Sequence, residues 1–194
     1  NDLLVQMPVQ SATGNITLNA GGSIFQAAAG DVSTGDGTID VTAVTGSINM
    51  TDGAGSSTLN RNIRYQAQMD VQLGLINAGG GNVGVFAGGS IMDSGASEND
   101  IPADSVELGA VGGIGLPIDH IDITVSTLAA VSGPGGIYIV EADSVTVGTV
   151  ADVQTFQVQP DGASLLAPDP SIAGLSAFGG DGNIVMQTLA GILT

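Results

Sequence analysis

The chain contains no cysteine, no lysine and no tryptophan, and aromatic residues make up only 3% of it. Without cysteine there is no disulfide, no thiolate nucleophile and no cysteine-based metal site. Without lysine a Walker-type phosphate loop is excluded. The only Arg residues are Arg61 and Arg64, set against 19 acidic residues, and the formal net charge is −17. Nucleic-acid affinity rests on cations at phosphates, so neither DNA nor RNA is an expected partner. An anionic membrane surface would repel the chain. No run approaches the roughly 18 apolar residues of a membrane helix, so membrane insertion is not expected. The chain starts at Asn1 with neither Met nor a charged-then-apolar leader, which reads as a mature chain or a piece of a longer one.

What the chain does have is aliphatic bulk. Apolar residues make up 43% of the sequence, mostly Ala, Val, Ile and Leu, and there are 31 glycines. Disordered acidic tails lack that apolar content. Many β-branched residues between many glycines indicate short strands joined by tight corners. The acidity reads as a solvated, self-repelling exterior.

Period-two alternation, the strand signature, recurs in a set of matching phrases. "NITLNA" places Ile16, Leu18 and Ala20 on one face, and "TIDVTA" does the same with Ile39, Val41 and Ala43. "NIRYQA" aligns Ile63, Tyr65 and Ala67, with polar Asn62, Arg64 and Gln66 opposite. "NVGVFA" and "SVELGA" repeat the pattern at Val83 and Val106. These starts lie 20 to 24 residues apart, and a second apolar run often begins about eight residues after the first: Ile24, Ile48, Val71 and Ile91, with Ile137 to Val145 and Ile184 to Ile192 at the same step. Repeats of this length mean a solenoid or array, and propeller blades, leucine-rich repeats and helical repeats do not fit the pattern. The expectation is an all-β, right-handed parallel β-helix of about eight rungs, residues 1–194 forming a single unit. The Gly-Gly-Ser between paired strands, as at 88–90, reads as a corner where glycine supplies positive φ. Insertions are expected near 93–104, 112–120 and 159–171, where the rhythm breaks. Single rungs cannot stand alone, so the end rungs are sticky unless capped, and the strand-like first and last residues suggest that the rod continues.

Catalytic motifs are scarce. "GGGNVG" at 79–84 matches a dinucleotide loop, but a strand follows it where a helix is required. "GGDGNIVMQ" at 179–187 starts like a calcium-binding nonapeptide, yet its sixth position is Ile184 instead of Asp. Asp36, Asp40, Asp52 and Asp181 could hold calcium loosely at corners, but solvated turn carboxylates are the expectation, and no metal, cofactor or catalytic residue is assigned. His120 is the only imidazole and reads as a loop or edge residue. Asp119 and Asp122 are near enough in sequence to serve as the paired acids of glycoside hydrolysis, although nothing marks them as buried. Arg61 and Arg64 are expected to pair with carboxylates such as Asp52 or Asp70. Tyr65, Phe86 and Tyr138 could stack on sugars only if they face outward, and alternation puts Tyr65 inside. The sequons at Asn15 and Asn49 lie within strands and carry little weight.

Three stretches, "NIRYQAQMDVQLGLINAGGGNVGVFAGGSIMD", "STLAAVSGPGGIYIVEADSVTVGTV" and "GGDGNIVMQTLAGILT", resemble repeats of giant bacterial exoproteins. They are similar to filamentous-haemagglutinin-type adhesins and to long β-strand-repeat surface proteins. The resemblance covers most of the chain from about residue 37. It implies a right-handed β-helix, export to the bacterial cell surface or beyond, and a stalk, adhesin or fibre role, and it brings no catalytic residues. The expected function is therefore a non-enzymatic structural or adhesive segment. Its expected partners are copies of itself or adjacent repeats end to end, with cell-surface glycans as the ligand class of an adhesin. The alternative is a carbohydrate-binding or polysaccharide-cleaving β-helix.

Overall fold

The computed structural model describes residues 1–95, 99–167, 169–180 and 182–194. The chain winds as a parallel β-solenoid with no helix among the described residues. Each inner turn uses three short strands. Ile39–Ala43, Ile48–Met50 and Gly55–Thr58 form one such set, and Ile63–Ala67, Val71–Leu73 and Leu75–Asn77 form the next. Strands of the same kind stack into three sheets, here called the first, second and third faces in the order the chain visits them.

Stacking is in register, like over like. On the first face Ile16, Ile39, Ile63, Val83, Val106, Leu128 and Val147 form one column. Beside it run Leu18, Val41, Tyr65, Val85 and Leu108, and then a column of five alanines from Ala20 to Ala110. The second face piles Leu3, Ile24, Ile48, Val71, Ile91, Ile114, Ile137 and Ile184. The sequence pattern thus predicts the columns correctly, but the last members change role. Ile137 and Ile184 belong to the second face, and Val145 bridges Leu193.

Inside, the core is mainly aliphatic, with a polar inclusion around Tyr65. Tyr65 is fully buried, as its place in the alternation predicts. Its hydroxyl lies 2.6 Å from Ser56 Oγ and 3.2 Å from Gln26 Oε1, while Gln26 Nε2 donates to the Gly55 carbonyl at 2.8 Å. Every polar atom of this group is engaged, as burial requires.

The corner glycines differ from expectation. Gly21, Gly22, Gly88 and Gly89 do not have positive φ. What excludes a side chain is the rung beneath. A Cβ on Gly88 would lie 2.0 Å from the Gln68 carbonyl oxygen, and one on Gly89 would lie 2.1 Å from Asp70 Oδ1. The residue just before each second-face strand then ties the rungs together. Ser23 N–H donates to Asp2 at 2.8 Å, Ser47 N–H to Ser23 Oγ at 3.2 Å, and Asp70 N–H to Ser47 Oγ at 3.3 Å. Ser90 N–H donates to Asp70 at 2.8 Å and Gly113 N–H to Ser90 Oγ at 3.1 Å. One side chain per turn therefore satisfies the corner amide of the next turn. At Gly88 and Gly89 a side chain would meet the turn beneath, whereas the matching corners of other turns carry Val44, Gln68, Met69 and Val111, of which Val44, Met69 and Val111 are exposed.

The coil has about six turns, fewer than the eight expected. The missing length lies partly in an excursion after Thr146–Val147. It forms two antiparallel pairs, Thr149–Val150 with Ile172–Ala173 and Thr155–Val158 with Ser164–Ala167, which lie against the outer side of the first face. The coil then resumes with Leu175–Ala177 on the first face and Ile184–Thr188 on the second. A second saving comes at Gly136–Glu141. Its first two residues pair with Gly113–Ile114, and residues 139–141 pair with residues 121–123, so one long strand spans what two shorter strands do below it. Within 93–104 the strand residues Ile101–Pro102 pair with residues 123–124, while 96–98 lie outside the described residues. Within 112–120, Gly113–Ile114 stays in the sheet and a short turn is closed by Leu116 and Asp119. In 159–171, Ser164–Ala167 is one strand of the excursion hairpin, and residue 168 lies outside the described residues.

A Gly88→Ala substitution should lower unfolding free energy by about 1–3 kcal/mol, the range for overpacking a tight site. Urea denaturation at constant m-value measures this. A loss below a few tenths of a kcal/mol would refute the close-approach explanation of the corner.

Candidate functional site

Outward-facing positions of the first face stack as regularly as the inward ones. Thr17, Asp40, Arg64, Gly84, Glu107 and Ala129 share one column. Alternation alone would leave this column in water. The excursion covers it, so Asp40, Arg64 and Glu107 are buried. Arg64 Nη1 lies 3.0 Å from Asp40 Oδ2, and Arg64 Nη2 donates to Gln66 at 2.7 Å. Thr155 Oγ1 donates to Asp40 Oδ2 at 2.7 Å, and Gln157 Nε2 donates to Asp40 Oδ1 at 3.0 Å. Val153 N–H donates to Glu107 at 3.2 Å, Phe156 N–H to Thr38 Oγ1 at 2.9 Å, and Val158 N–H to Thr17 Oγ1 at 2.7 Å.

Gly84 leaves a gap in this column between Arg64 and Glu107, and Asp169 of the excursion enters it. A Cβ on Gly84 would lie 2.6 Å from Asp169 Oδ2, and Arg64 Nε is 3.6 Å from that oxygen. Burial pushes the Glu107 carboxyl up to about 8, reinforced by the nearby Asp169 charge. Burial likewise raises Asp169 to about 6, although Arg64 pulls the other way. Glu107 Oε2 and both Asp169 carboxylate oxygens accept no hydrogen bond. This is a latch made of one guanidinium and three carboxyls, held shut by backbone and side-chain donors of the excursion.

A second polar group lies where the second and third faces meet. Asp93, Asp100 and Asp122 each offer a carboxylate oxygen within 4.8 Å of the others. Asp93 ends the strand Ile91–Asp93 and points inward, above Leu73 in its column. Asp93 Oδ1 accepts from Gly95 N–H at 2.8 Å, and Asp100 Oδ2 accepts from Asp122 N–H at 2.8 Å. Burial raises all three carboxyls above the usual range, Asp100 to about 9, and the Asp93 charge adds to the effect on Asp100 and Asp122. Inside the coil, Glu141 accepts from Val125 N–H at 3.1 Å and Asp143 N–H at 3.3 Å, and burial raises it to about 6.

The residues singled out from sequence fall as follows. Arg61 pairs with Asp36 at 2.6 Å, both exposed, and Arg64 with Asp40 and Asp169, so the arginines do meet carboxylates but not Asp52 or Asp70. Asp40 sits in mid-strand under the excursion instead of at a corner. Asp36, Asp40 and Asp52 are not brought together among the described residues, and Asp181 lies outside them. Asp122 joins Asp93 and Asp100 instead of pairing with Asp119, whose backbone closes a turn with Leu116. His120 stacks on Tyr138 with ring centroids 6.1 Å apart. Phe86 lies against Gly109, its ring 2.8 Å from where a Cβ would stand, with Ile172 of the excursion beside it. Asn15 Oδ1 is held by Thr38 N–H at 2.9 Å, and Asn49 lies in Ile48–Met50.

Sequence reading passed over Asp93, Asp100, Glu107, Glu141 and Asp169. Alternation from Ile91 does put Asp93 inside, and alternation through "GIYIVE" does the same for Glu141, so those two carried a signal. Glu107 and Asp169 carried none, because their burial depends on where a distant segment folds back. Comparison of the chain with protein-family models, curated proteins and solved structures gave no match.

The latch implies a pH dependence. A carboxyl whose folded pKa is raised holds its proton more tightly when folded. Its contribution is fully present below the unfolded value of 4.5 for Glu107 and is lost as pH rises through about 8. Thermal stability should therefore fall between pH 5 and pH 9, and Glu107→Gln should flatten that fall and melt higher at pH 9, by roughly 2–4 °C per kcal/mol. Parallel melting curves for the two proteins across this range would contradict the role given to Glu107.

Proposed function

We propose that the chain is a non-enzymatic structural or adhesive β-solenoid segment of an extracellular bacterial surface fibre, associating end to end through its terminal rungs. The single observation that carries this reading is the state of the end columns. Leu18 stands over Val41 in the first-face column, yet Val41 is wholly buried while Leu18 is only partly so. At the other end Ile184 stands over Ile137, which is wholly buried, while Ile184 is 44% exposed. Leu189, Ile192 and Leu193 are exposed beside it. Each end thus presents strand edges with apolar side chains in the register that a further rung would continue, the arrangement that favours β-augmentation.

Supporting features lie along the sides. A net charge of −17 disfavours lateral clumping of rods. Absence of cysteine suits export in an unfolded form. The likeness of the repeat phrases to bacterial surface exoproteins supplies the location and the adhesive role, with cell-surface glycans as the ligand class.

Electron microscopy and sedimentation velocity across a concentration series test this reading. The expected result is thin rods in several lengths, growing with concentration and with salt, which screens the acidic charge. Leu18→Glu should shift the distribution to single units while leaving the circular dichroism spectrum unchanged. Particles of one length at every concentration, alike in both proteins, would contradict end-to-end association.

A further inference from the structure

From the clustered carboxylates of Asp93, Asp100 and Asp122 we infer a binding site for one divalent cation of the calcium type, built into the wall of the coil. Three observations converge on it. First, the distances suit one ion. Calcium–oxygen bonds are about 2.3–2.6 Å, so ligand oxygens on one ion stand no more than about 5 Å apart, and these three lie within 4.8 Å. Second, Asp93 is more than nine-tenths buried, and its Oδ2 accepts no hydrogen bond, while its Oδ1 is fixed by Gly95 N–H. Backbone donors to Asp93 and Asp100 hold these side chains as acceptors, the role a ligand requires.

Third, no lysine or arginine of the chain serves the cluster. The only two basic side chains of the Lys and Arg type are engaged elsewhere, Arg61 with Asp36 and Arg64 with Asp40 and Asp169. Among the described residues, the remaining charged neighbours are Asp119, which adds negative charge around Asp93 and Asp122, and His120, which eases that on Asp122. Close carboxylates left to themselves must take up protons or a metal ion. All-oxygen donors select a hard ion over zinc or copper. Asp122 is half-buried, so its side of the site is open to the waters that complete a coordination shell of six to eight oxygens. The ion would join adjacent turns, since Asp100 and Asp122 lie side by side on stacked rungs.

Isothermal titration of the whole chain with calcium chloride at neutral pH, with melting temperature read in parallel, tests the site. The expected result is one strong site per chain, a higher melting temperature with calcium, and return to the starting value on addition of a chelator. Asp93→Asn and Asp122→Asn should each weaken binding by about tenfold or more, and Asp36→Asn, an exposed acid remote from the site, should bind like the unaltered chain. A folded chain that neither binds calcium nor melts higher with it would overturn the proposal and leave a shared proton as what balances the three acids. Equal binding in the Asp93 and Asp122 variants, or equal loss in the Asp36 variant, would overturn it too.

Discussion

Parallel, in-register stacking of one turn on the next governs this molecule. Once each strand lies about 4.8 Å above its predecessor, each inner strand residue has a counterpart at the same position above and below it. Aliphatics then bury aliphatics, and the alanine column keeps one edge of the first face narrow. The same constraint leaves no room for a side chain at Gly88 and Gly89, which lie against the backbone and Asp70 of the turn beneath. It also supplies the remedy, since the Ser or Asp after each corner accepts the N–H of the following turn. Core, corner and hydrogen-bond ladder are three results of one spacing.

That spacing leaves polar groups in columns as well, and the molecule handles them in two ways. On the first face, Asp40, Arg64 and Glu107 are covered by an excursion that brings its own donors and inserts Asp169 at Gly84. Where the second and third faces meet, three acids face one another with no arginine near. The first group draws its one cation, Arg64, and its excursion donors from the chain. The second needs something from outside it, a proton or a metal ion.

Much of the coil could be read from the sequence because its cause is local. Alternation within "NITLNA" or "NVGVFA" fixes which side chains point inward, and a repeat of 20 to 24 residues fixes what they meet. Tyr65 shows how far this reaches, since an inward polar ring was foreseeable and its partners, Ser56 and Gln26, lie on neighbouring turns. The reach ends where tertiary placement decides. Glu107 looks solvent-facing in "SVELGA" and becomes buried only because residue 153 and its neighbours fold back over it. The corner glycines were identified for the wrong physical reason, because their backbone angles are ordinary and the clash they avoid is with residues some 20 positions earlier. Asp93 was legible as inward but not as a partner of Asp100 and Asp122, since that meeting depends on how the turns offset near the second corner.

Amide-resolved hydrogen exchange tests rung stacking most directly, because each corner amide has a partner only if another turn lies beneath it. Slow exchange is expected at Ser47, Asp70 and Ser90, comparable to Ile48 and Val71 in the adjoining strands, with protection declining toward Leu3–Val5 and Ile184–Thr188 at the ends. Exchange of those inner corner amides at free-chain rates, or protection restricted to pairs of sequence-adjacent strands, would contradict a stacked coil.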